Sequence, residues 1–276
     1  MVSTFQIKPS PLLQSCISYY SLRSFNTGDM LMPKPLHAIQ ESYLSFFLKE
    51  KFCMLTDEDG NITRNHPNAL ASLLTQSHGC SWWKGDYDIL CVQFIANGIC
   101  SILGIPQSEI VNKLIPTQDV LGERDCAMLT EQLKNAGNIH VMGKILDQYF
   151  LKKLLKRKNK ENMRVIAYMA NCITRNKGIV SIDSLAYESN MSLRTFERQF
   201  TAQVGMPIKL YARISRFFSA MENKWLNPNK TWTDITYEHG YADQAHFIKE
   251  CKQFSSRTPG ELFDVTPPPH EALVNL

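Results

Sequence analysis

Residues 192–204 read SLRTFERQFTAQV and residues 243–254 read DQAHFIKECKQF. In each stretch the apolar residues recur at the three- and four-residue spacing of one helix face. They are Leu193, Phe196, Phe200 and Val204 in the first, and Phe247, Cys251 and Phe254 in the second. Ser192 and Asp243 are of the residue types that cap the N-terminus of a helix. The pattern therefore predicts two short amphipathic helices.

Each predicted helix follows another short helix after a turn. Ser181 begins the helix before the first stretch, and Asn190-Met191 forms the turn. Thr231 begins the helix before the second, and Gly240 forms the turn. A longer helix, Pro207 to about Trp225, is apolar on more than one side and is expected to join the two units. Two helix-turn-helix units on one helix are typical of proteins that read DNA.

The opposite face of the first helix carries Arg194, Glu197, Arg198 and Thr201. A guanidinium can bind guanine O6 and N7 with two hydrogen bonds, so the two arginines suit base edges or phosphates. The alternative is a pair of arginines on a solvated helix face. On the second helix Gln244 suits adenine, whereas Lys249 and Lys252 suit phosphate, and His246 flanks them.

Composition sets limits on the rest. The chain has 276 residues, a hydrophobic fraction of 44% and a formal net charge of +4, which permits a nucleic-acid partner without arguing for one. Its 8 cysteines sit among apolar residues without a C-x-x-C spacing, as expected of reduced structural cysteines. The N-terminus does not resemble a signal peptide, and no apolar run is long enough to cross a membrane. We expect a cytoplasmic protein.

The N-terminal part predicts a different structure. Strands are expected at 17–25, 42–48, 69–75 and 87–95, with Gly- and Asn-containing turns between them. Helices are expected at 98–103, 107–114, 123–134 and 140–155. The fold class is therefore α+β: a β-rich barrel or sandwich with trailing helices, followed by an all-α part of two helix-turn-helix units.

A β-rich domain of this kind can hold a small ligand. Candidate lining residues are His37, Tyr43, Phe46, Trp82 and Trp83. The alternative is that these side chains are core. His37 and His78 lack the companions of a metal site, and no catalytic motif occurs. We therefore expect no catalytic residue, no metal and no cofactor.

The boundary between the two parts is expected at the basic run FLKKLLKRKNK, residues 150–160. Such a run can contact DNA phosphates, but more often it is a solvated helix end or linker. The predicted domains are an effector-binding or dimerisation domain at 1–155, a DNA-binding domain at 156–266 and a flexible tail at 267–276.

The C-terminal part resembles the double helix-turn-helix domain of AraC/XylS-type transcription regulators. The matching residues of the first half are Leu185-Ala186, Met191-Ser192, Arg194-Thr195-Phe196, Arg198, Phe200, Gly205, Pro207, Tyr211 and Arg216. Those of the second half are Ile235, Gly240-Tyr241, Asp243-Gln244, His246-Phe247, Lys252 and Thr258-Pro259. Three packing or turn positions depart from the family pattern: Thr236, Cys251 and Ser256.

The stretch 86–122 also resembles the N-terminal domain, cupin-like and poorly characterised, of some of these regulators. The matching residues are Asp88, Phe94, Gly98, Leu103-Gly104-Ile105-Pro106, Glu109, Leu114-Ile115-Pro116 and Asp119-Val120-Leu121-Gly122. With the C-terminal match, the resemblance covers most of the chain.

The resemblance implies that both helices enter successive major grooves of double-stranded DNA. The residues expected at that interface are Ser192, Arg194, Thr195, Glu197, Arg198, Gln244, His246, Lys249 and Lys252. It further implies an activator that contacts RNA polymerase, and an N-terminal domain that binds a small-molecule effector, forms a homodimer, or both. We expect the first helix to dominate base reading and the second to anchor.

Two other classes of function stay open at this point. One is a small-molecule or metal sensor, or an enzyme, with its chemistry in the N-terminal β domain. The other is a DNA-repair methyl acceptor fused to a DNA reader. It would require a cysteine cluster near the N-terminus, where Cys16 and Cys53 stand far apart.

Overall fold

The computed structural model describes residues 2–49, 53–57, 59–64, 69–157 and 161–265. The described strands are β1 (Val2–Ile7), β2 (Ile17–Asn26), β3 (Met32–Pro35), β4 (Ser42–Phe47), β5 (Cys53–Thr56), β6 (Ile62–Arg64), β7 (Ala69–Ala71), β8 (Cys80–Trp83), β9 (Asp86–Phe94) and β10 (Leu114–Pro116). The described helices are α1 (Gly98–Leu103), α2 (Gln107–Ile110), α3 (Thr117–Leu121), α4 (Glu123–Lys134), α5 (Ile139–Leu155), α6 (Glu161–Arg175), α7 (Ile182–Glu188), α8 (Leu193–Val204), α9 (Ile208–Leu226), α10 (Trp232–Glu238), α11 (Gln244–Ser255) and α12 (Pro259–Val265).

The strands form two antiparallel sheets. The larger has the order β1-β2-β9-β4-β7-β10 and the smaller β3-β8-β5-β6. In the larger sheet Tyr20 pairs with Ile7 on one side and Val92 on the other. The expected class, a β-rich N-terminal part with trailing helices and an all-α C-terminal part, is confirmed.

Two core clusters hold the N-terminal part together. On one face of the larger sheet, α4 and α5 bury a cluster that includes Tyr20, Phe94 and Phe150. The other face meets the smaller sheet through an aromatic cluster. In this cluster Trp83 stacks on Phe47, with ring centroids 5.7 Å apart, and contacts the edge of Phe25, with ring centroids 5.8 Å apart. The alternation of buried residues along the strands therefore serves two separate cores.

Two of the sequence-based elements were too long. The expected strand 69–75 ends at Ala71, and the expected helix 107–114 ends at Ile110. The helix ends because Val111, its C-terminal cap, has an extended backbone (φ −54, ψ 139). Asn112 follows with a left-handed backbone (φ 60), and its side chain accepts a hydrogen bond of 2.7 Å from the backbone N–H of Thr75. The chain then continues as β10, which pairs with β7.

The C-terminal helices surround α9. The buried faces of α8 and α11 pack into one cluster, which includes Phe196, Phe200, Phe217, Phe247 and Phe254. The same cluster contains Ala38, Leu73 and Ala96 from the N-terminal part, so the two parts share a continuous core. Across this junction the backbone N–H of Ala38 donates to the carbonyl of Phe254 at 2.8 Å.

None of the helices in the described part of the chain is long and apolar enough to cross a membrane.

Candidate nucleic-acid interface

The first helix-turn-helix unit consists of α7 and α8. Ser181 Oγ accepts from the backbone N–H of Ser184 at 3.3 Å, and Ser192 Oγ accepts from that of Thr195 at 3.3 Å, so both serines cap their helices as predicted. Asn190 makes the turn with φ 55. Phe196, Phe200 and Val204 are fully buried, which turns the opposite face of α8 outward.

The second unit, α10 and α11, repeats this construction. Thr231 Oγ1 accepts from the N–H of Asp234 at 3.1 Å, and Asp243 Oδ1 accepts from that of His246 at 2.7 Å. Gly240, with φ 65, takes the place of Asn190 in the turn. Asp243 and Ser192 therefore start the two candidate DNA-reading helices in the same way.

The outward face of α8 brings together the residues predicted for the first reading surface. Arg194 and Arg198 are exposed, while Thr195 and Glu197 are partly buried. Arg194, Glu197, Arg198 and Thr201 line an open groove of about 590 Å³. Lys209 at the start of α9 and Ser108 of α2 also line it. Sequence reasoning missed Lys209, because it belongs to the joining helix rather than to either predicted reading helix.

On α11 the predicted residues divide into two groups. Gln244, Lys249 and Lys252 are exposed. His246 lies partly buried against the protein: its Nε2 is 3.8 Å from Glu250 Oε1, and its ring centroid is 5.3 Å from that of Tyr241. Three side chains of α11 thus point to solvent, whereas His246 also belongs to the protein's own packing.

A buried carboxylate fixes α11 to α9, and the sequence pattern gave no indication of it. Glu250 is 2% exposed. Its Oε1 accepts from Arg213 Nε at 2.6 Å and from Arg216 Nη2 at 3.2 Å. Arg213 also donates to Gln253 at 2.6 Å, and Arg216 lies over the ring of Tyr241 at 4.3 Å. Because charge-assisted hydrogen bonds are strong and directional, this network orients the second reading helix.

The three positions that depart from the family pattern are accommodated within the second unit. Thr236 is fully buried and its hydroxyl donates to the carbonyl of Trp232 at 2.7 Å. Cys251 is fully buried, and burial raises the pKa of its thiol to about 12, so it packs as a small apolar residue. Ser256 ends α11 with φ 60.

The residues predicted to line a ligand site are dispersed in the N-terminal part. Phe46 is buried in the cluster under α4 and α5, whereas Trp83 belongs to the aromatic cluster between the sheets. Trp82 Nε1 donates to Thr56 Oγ1 at 3.0 Å, and the Tyr43 hydroxyl donates to Glu41. His37 packs on α9, with ring centroids 5.9 Å from Phe217. The structure does not bring these five side chains around one cavity, and their ligand role stays a prediction.

The basic run at the joint is only partly described. Lys153 forms an ion pair of 2.9 Å with Asp125, which ties α5 to α4. Lys158 and Lys160 lie outside the described residues, as does the expected tail at 267–276. In the part of the chain that the structure covers, no group of three or more His, Cys, Asp or Glu side chains is placed to hold a metal ion.

Residues 185–264 match the family described as "Helix-turn-helix domain". A search of curated proteins found no match. A structure of ToxT from Vibrio cholerae O395 is similar at 13% identity and a TM-score of 0.47, over 89% of this chain and 97% of that chain.

Two further solved structures are similar. Wild-type ToxT from Vibrio cholerae strain SCE256, bound to an unsaturated fatty acid, is 12% identical over 96% of this chain and 95% of that chain, with a TM-score of 0.42. The AraC-like transcriptional activator CuxR is 15% identical over 79% of this chain and 86% of that chain, with a TM-score of 0.29.

The matched domain contains α8 and α11, most of α7, and the helices α9, α10 and most of α12 that pack with them. Its two helices with exposed polar faces are capped, oriented and joined as a double helix-turn-helix requires. Residues 185–264 thus form a helix-turn-helix domain at the C-terminal end of the chain.

Proposed function

We propose that the protein binds a specific double-stranded DNA site by placing α8 and α11 in two successive segments of the major groove. The observation that carries this proposal is the pair of capped helices on one joining helix, each with its apolar face buried and its polar face exposed. Neighbouring major-groove segments on one side of B-DNA are about 34 Å apart. A site of this kind therefore consists of two half-elements about one helical turn apart.

The two helices have different roles in this proposal. Arg194 and Arg198 offer two exposed guanidinium groups to base edges and phosphates, and Thr195 and Glu197 lie beside them. Glu197 accepts from cytosine N4 or pairs with a neighbouring arginine. Ser192 belongs to the same interface through the N-terminus of α8, which suits a phosphate.

The face of α11 carries the other predicted contacts. Gln244 is suited to adenine, and Lys249 and Lys252 to phosphate oxygens. His246 contributes less, because its imidazole already lies against Tyr241 and Glu250. We infer that α8 dominates base reading, whereas α11 anchors the protein.

The remaining parts of the proposal concern the whole chain. Residues 1–155 form the effector-binding or dimerisation domain, residues 156–266 bind DNA and residues 267–276 form a tail. The bound protein activates transcription through RNA polymerase, and its N-terminal domain binds a small-molecule effector, forms a homodimer, or both. Support for the link between the parts comes from the shared core that joins Ala38, Leu73 and Ala96 to the DNA-binding helices.

The test begins with selection of a binding site from random DNA by the full chain. Affinity for the selected site is then measured by fluorescence anisotropy. We expect Arg194→Ala and Arg198→Ala each to weaken binding by about 1–3 kcal/mol, because each removes a contact to a base edge. Arg124→Ala removes an exposed arginine of α4, far along the chain from the reading helices, and is the matched control.

The expected control result is an affinity equal to that of the parent. If Arg194→Ala and Arg198→Ala also bind the selected site as the parent does, α8 does not read it. If selection enriches no sequence at all, the proposal of specific binding is wrong.

A further inference from the structure

The open groove beside α8 is lined by both parts of the chain. Ser108 of α2, an exposed residue of the N-terminal part, contributes to its lining. The other polar side chains of the lining come from α8 and α9: Arg194, Glu197, Arg198, Thr201 and Lys209. The face predicted to read DNA therefore continues onto the N-terminal part.

Close packing against the end of α8 fixes Ser108 in this position. A Cβ on Gly205, which follows α8, would lie 2.9 Å from the carbonyl carbon and oxygen of Gln107, so the missing side chain permits the backbone of α2 to approach. The Gln107 side chain is fully buried. Nearby, the Asn97 amide donates to Gln203 Oε1 of α8 at 3.1 Å. The position of Ser108 beside the candidate reading helix is thus set by contacts of the folded chain.

The charges in the groove attract an anion. Arg194, Arg198 and Lys209 are exposed, and Glu197 is the acidic residue of the lining, so positive charge prevails. Within the described residues, none of the three basic side chains forms an ion pair with a carboxylate of the protein. These cations are therefore available to the phosphates of DNA.

The rest of the lining is apolar and comes from Ala202, Pro207 and Ile208. The volume of the groove, about 590 Å³, is larger than a single phosphate group requires. A sugar–phosphate strand has the matching composition, since apolar deoxyribose carbons alternate with charged phosphates. Arginine, lysine and serine are also among the usual donors to phosphate oxygens. The lining therefore suits a DNA backbone better than a small anion.

We propose that this groove holds the sugar–phosphate backbone of one DNA strand beside α8, with Lys209 and Ser108 as donors to phosphate oxygens. Ser108 makes the N-terminal domain part of the DNA interface. The inference rests on the proposed function, because a strand reaches the groove only when α8 lies in the major groove between the two backbones.

This contact has a consequence for control. Backbone contacts position a protein on DNA but carry no sequence information. A change in the N-terminal domain that moves α2 therefore alters the affinity for DNA and leaves the base preference of Arg194 and Arg198 unchanged.

The experiment measures binding of the full chain to its selected DNA site by fluorescence anisotropy at several salt concentrations. Ser108→Lys places a cation in the groove. We expect it to tighten binding at low salt and to steepen the slope of log affinity against log salt by about 0.9, the value of one phosphate contact. Gln132→Lys adds the same charge at an exposed position of α4 outside the groove, and this matched control should leave the slope unchanged.

Two further substitutions at position 108 separate charge from size. Ser108→Glu and Ser108→Gln introduce side chains of nearly equal volume. The Glu variant should bind about tenfold more weakly than the Gln variant, because its carboxylate repels the phosphates.

Lys209→Gln removes the other proposed donor. It should make the salt slope shallower by about 0.9 and lower the affinity for selected and random DNA by the same factor, because a phosphate contact is independent of sequence. Thermal unfolding verifies that each variant is folded.

Equal salt slopes for the parent, Ser108→Lys and Lys209→Gln would overturn the inference, as would equal affinities of Ser108→Glu and Ser108→Gln. Weaker binding by Ser108→Lys would also overturn it, because α2 would then obstruct the strand. Arg194→Ala separates the two proposals: if it weakens binding while the groove variants have no effect, α8 reads DNA but the groove holds no strand. A parent that binds no DNA would overturn both.

Discussion

Ser256 has the left-handed backbone (φ 60) that ends α11, and Gly205 holds the corresponding position at the end of α8 (φ 85). In the turns of the two units the pair is reversed: Asn190 has φ 55 and Gly240 has φ 65. Glycine adopts this conformation without the steric cost of a Cβ, whereas other residues pay about 1 kcal/mol. Each helix-turn-helix unit therefore contains one relaxed and one strained position.

We expect Ser256→Gly to stabilise the protein by roughly 0.5–1 kcal/mol, because it removes the Cβ from a left-handed residue. Urea unfolding followed by circular dichroism measures the change. Ser256→Ala is the matched control, since it removes the same hydroxyl but keeps the Cβ, and it should give no gain. Equal stability of the Gly and Ala variants would show that strain at Ser256 is negligible.

At the residue scale, much of the candidate interface was predictable. The caps Ser181, Ser192, Thr231 and Asp243 follow from residue type and position, and the structure confirms them. Glu250 was not predictable. In the sequence it is one more acidic residue on an amphipathic helix, and only the packing of α11 against α9 reveals that it meets two arginines.

At the scale of the secondary-structure elements, the attachment of α11 to α9 depends on the carboxylate of Glu250. The Glu250 side chain is 3% exposed, that of Arg216 18% and that of Arg213 38%. Breaking a buried ion pair costs about 3–5 kcal/mol, because it leaves a charge without compensation. Since Arg213 retains access to water, breaking this ion pair should cost at most about 3 kcal/mol, the lower end of that range.

We expect Glu250→Gln to destabilise the protein by about 2–3 kcal/mol. The measurement is the free energy of unfolding in urea. Glu188→Gln, which changes an exposed carboxylate of α7, is the control and should have almost no effect. An equally small effect of both substitutions would mean that the network contributes nothing to the position of α11.

Two histidines, His239, which is buried, and His37, which is partly buried, link stability to pH. Burial lowers the pKa of His37, which packs on α9, and of His239, whose ring lies 3.0 Å from the Ile235 carbonyl and 3.2 Å from Ser219 Oγ. Because their native pKa values lie below the unfolded value of about 6.5, the unfolded chain takes up these protons first. Their contribution to stability is complete above that value and is lost as the pH falls.

We therefore expect the free energy of unfolding to decrease between pH 7 and pH 5. Urea unfolding at the two pH values measures this difference in the free energy of unfolding. His37→Gln and His239→Gln should each make the difference smaller. His140→Gln, at an exposed position, should leave it unchanged. A parent protein that is equally stable at both pH values would contradict this account of the two histidines.

The prediction of elements succeeded where a long periodic pattern exists. α8, α9 and α11 have many buried positions at helical spacing, so their existence and most of their buried faces were evident. Leu193, which we expected on the buried face of α8, is 41% exposed because it lies in the first turn of the helix. The short strands β3, β5, β6 and β8 were not assigned, because three or four residues give no measurable alternation. The stretch 107–114 shows a second cause: the chain leaves the helix at Val111, and the side-chain bonds between Asn112 and Thr75 that fix the next turn join residues 37 positions apart.

At the scale of the whole molecule, the N-terminal part contacts both reading units. Asn97 donates to the Met163 carbonyl at 2.8 Å and to Gln203 of α8 at 3.1 Å, while Ala38 holds the end of α11. None of these residues gives a signal in the sequence, because a single amide or alanine at a domain junction has no periodic partner. The contacts between the N-terminal part and the reading units therefore become visible only when both parts are folded.

We propose that one chain reads DNA with two separate helices, α8 and α11. The most direct test is to select random DNA with the full chain and to repeat the selection with Arg194→Ala and with Gln244→Ala. We expect the parent to select two short elements about one helical turn apart. Arg194→Ala should lose base preference in one element only, and Gln244→Ala, with the smaller effect, in the other. A site with one element, or two variants that alter the same element, would contradict the claim.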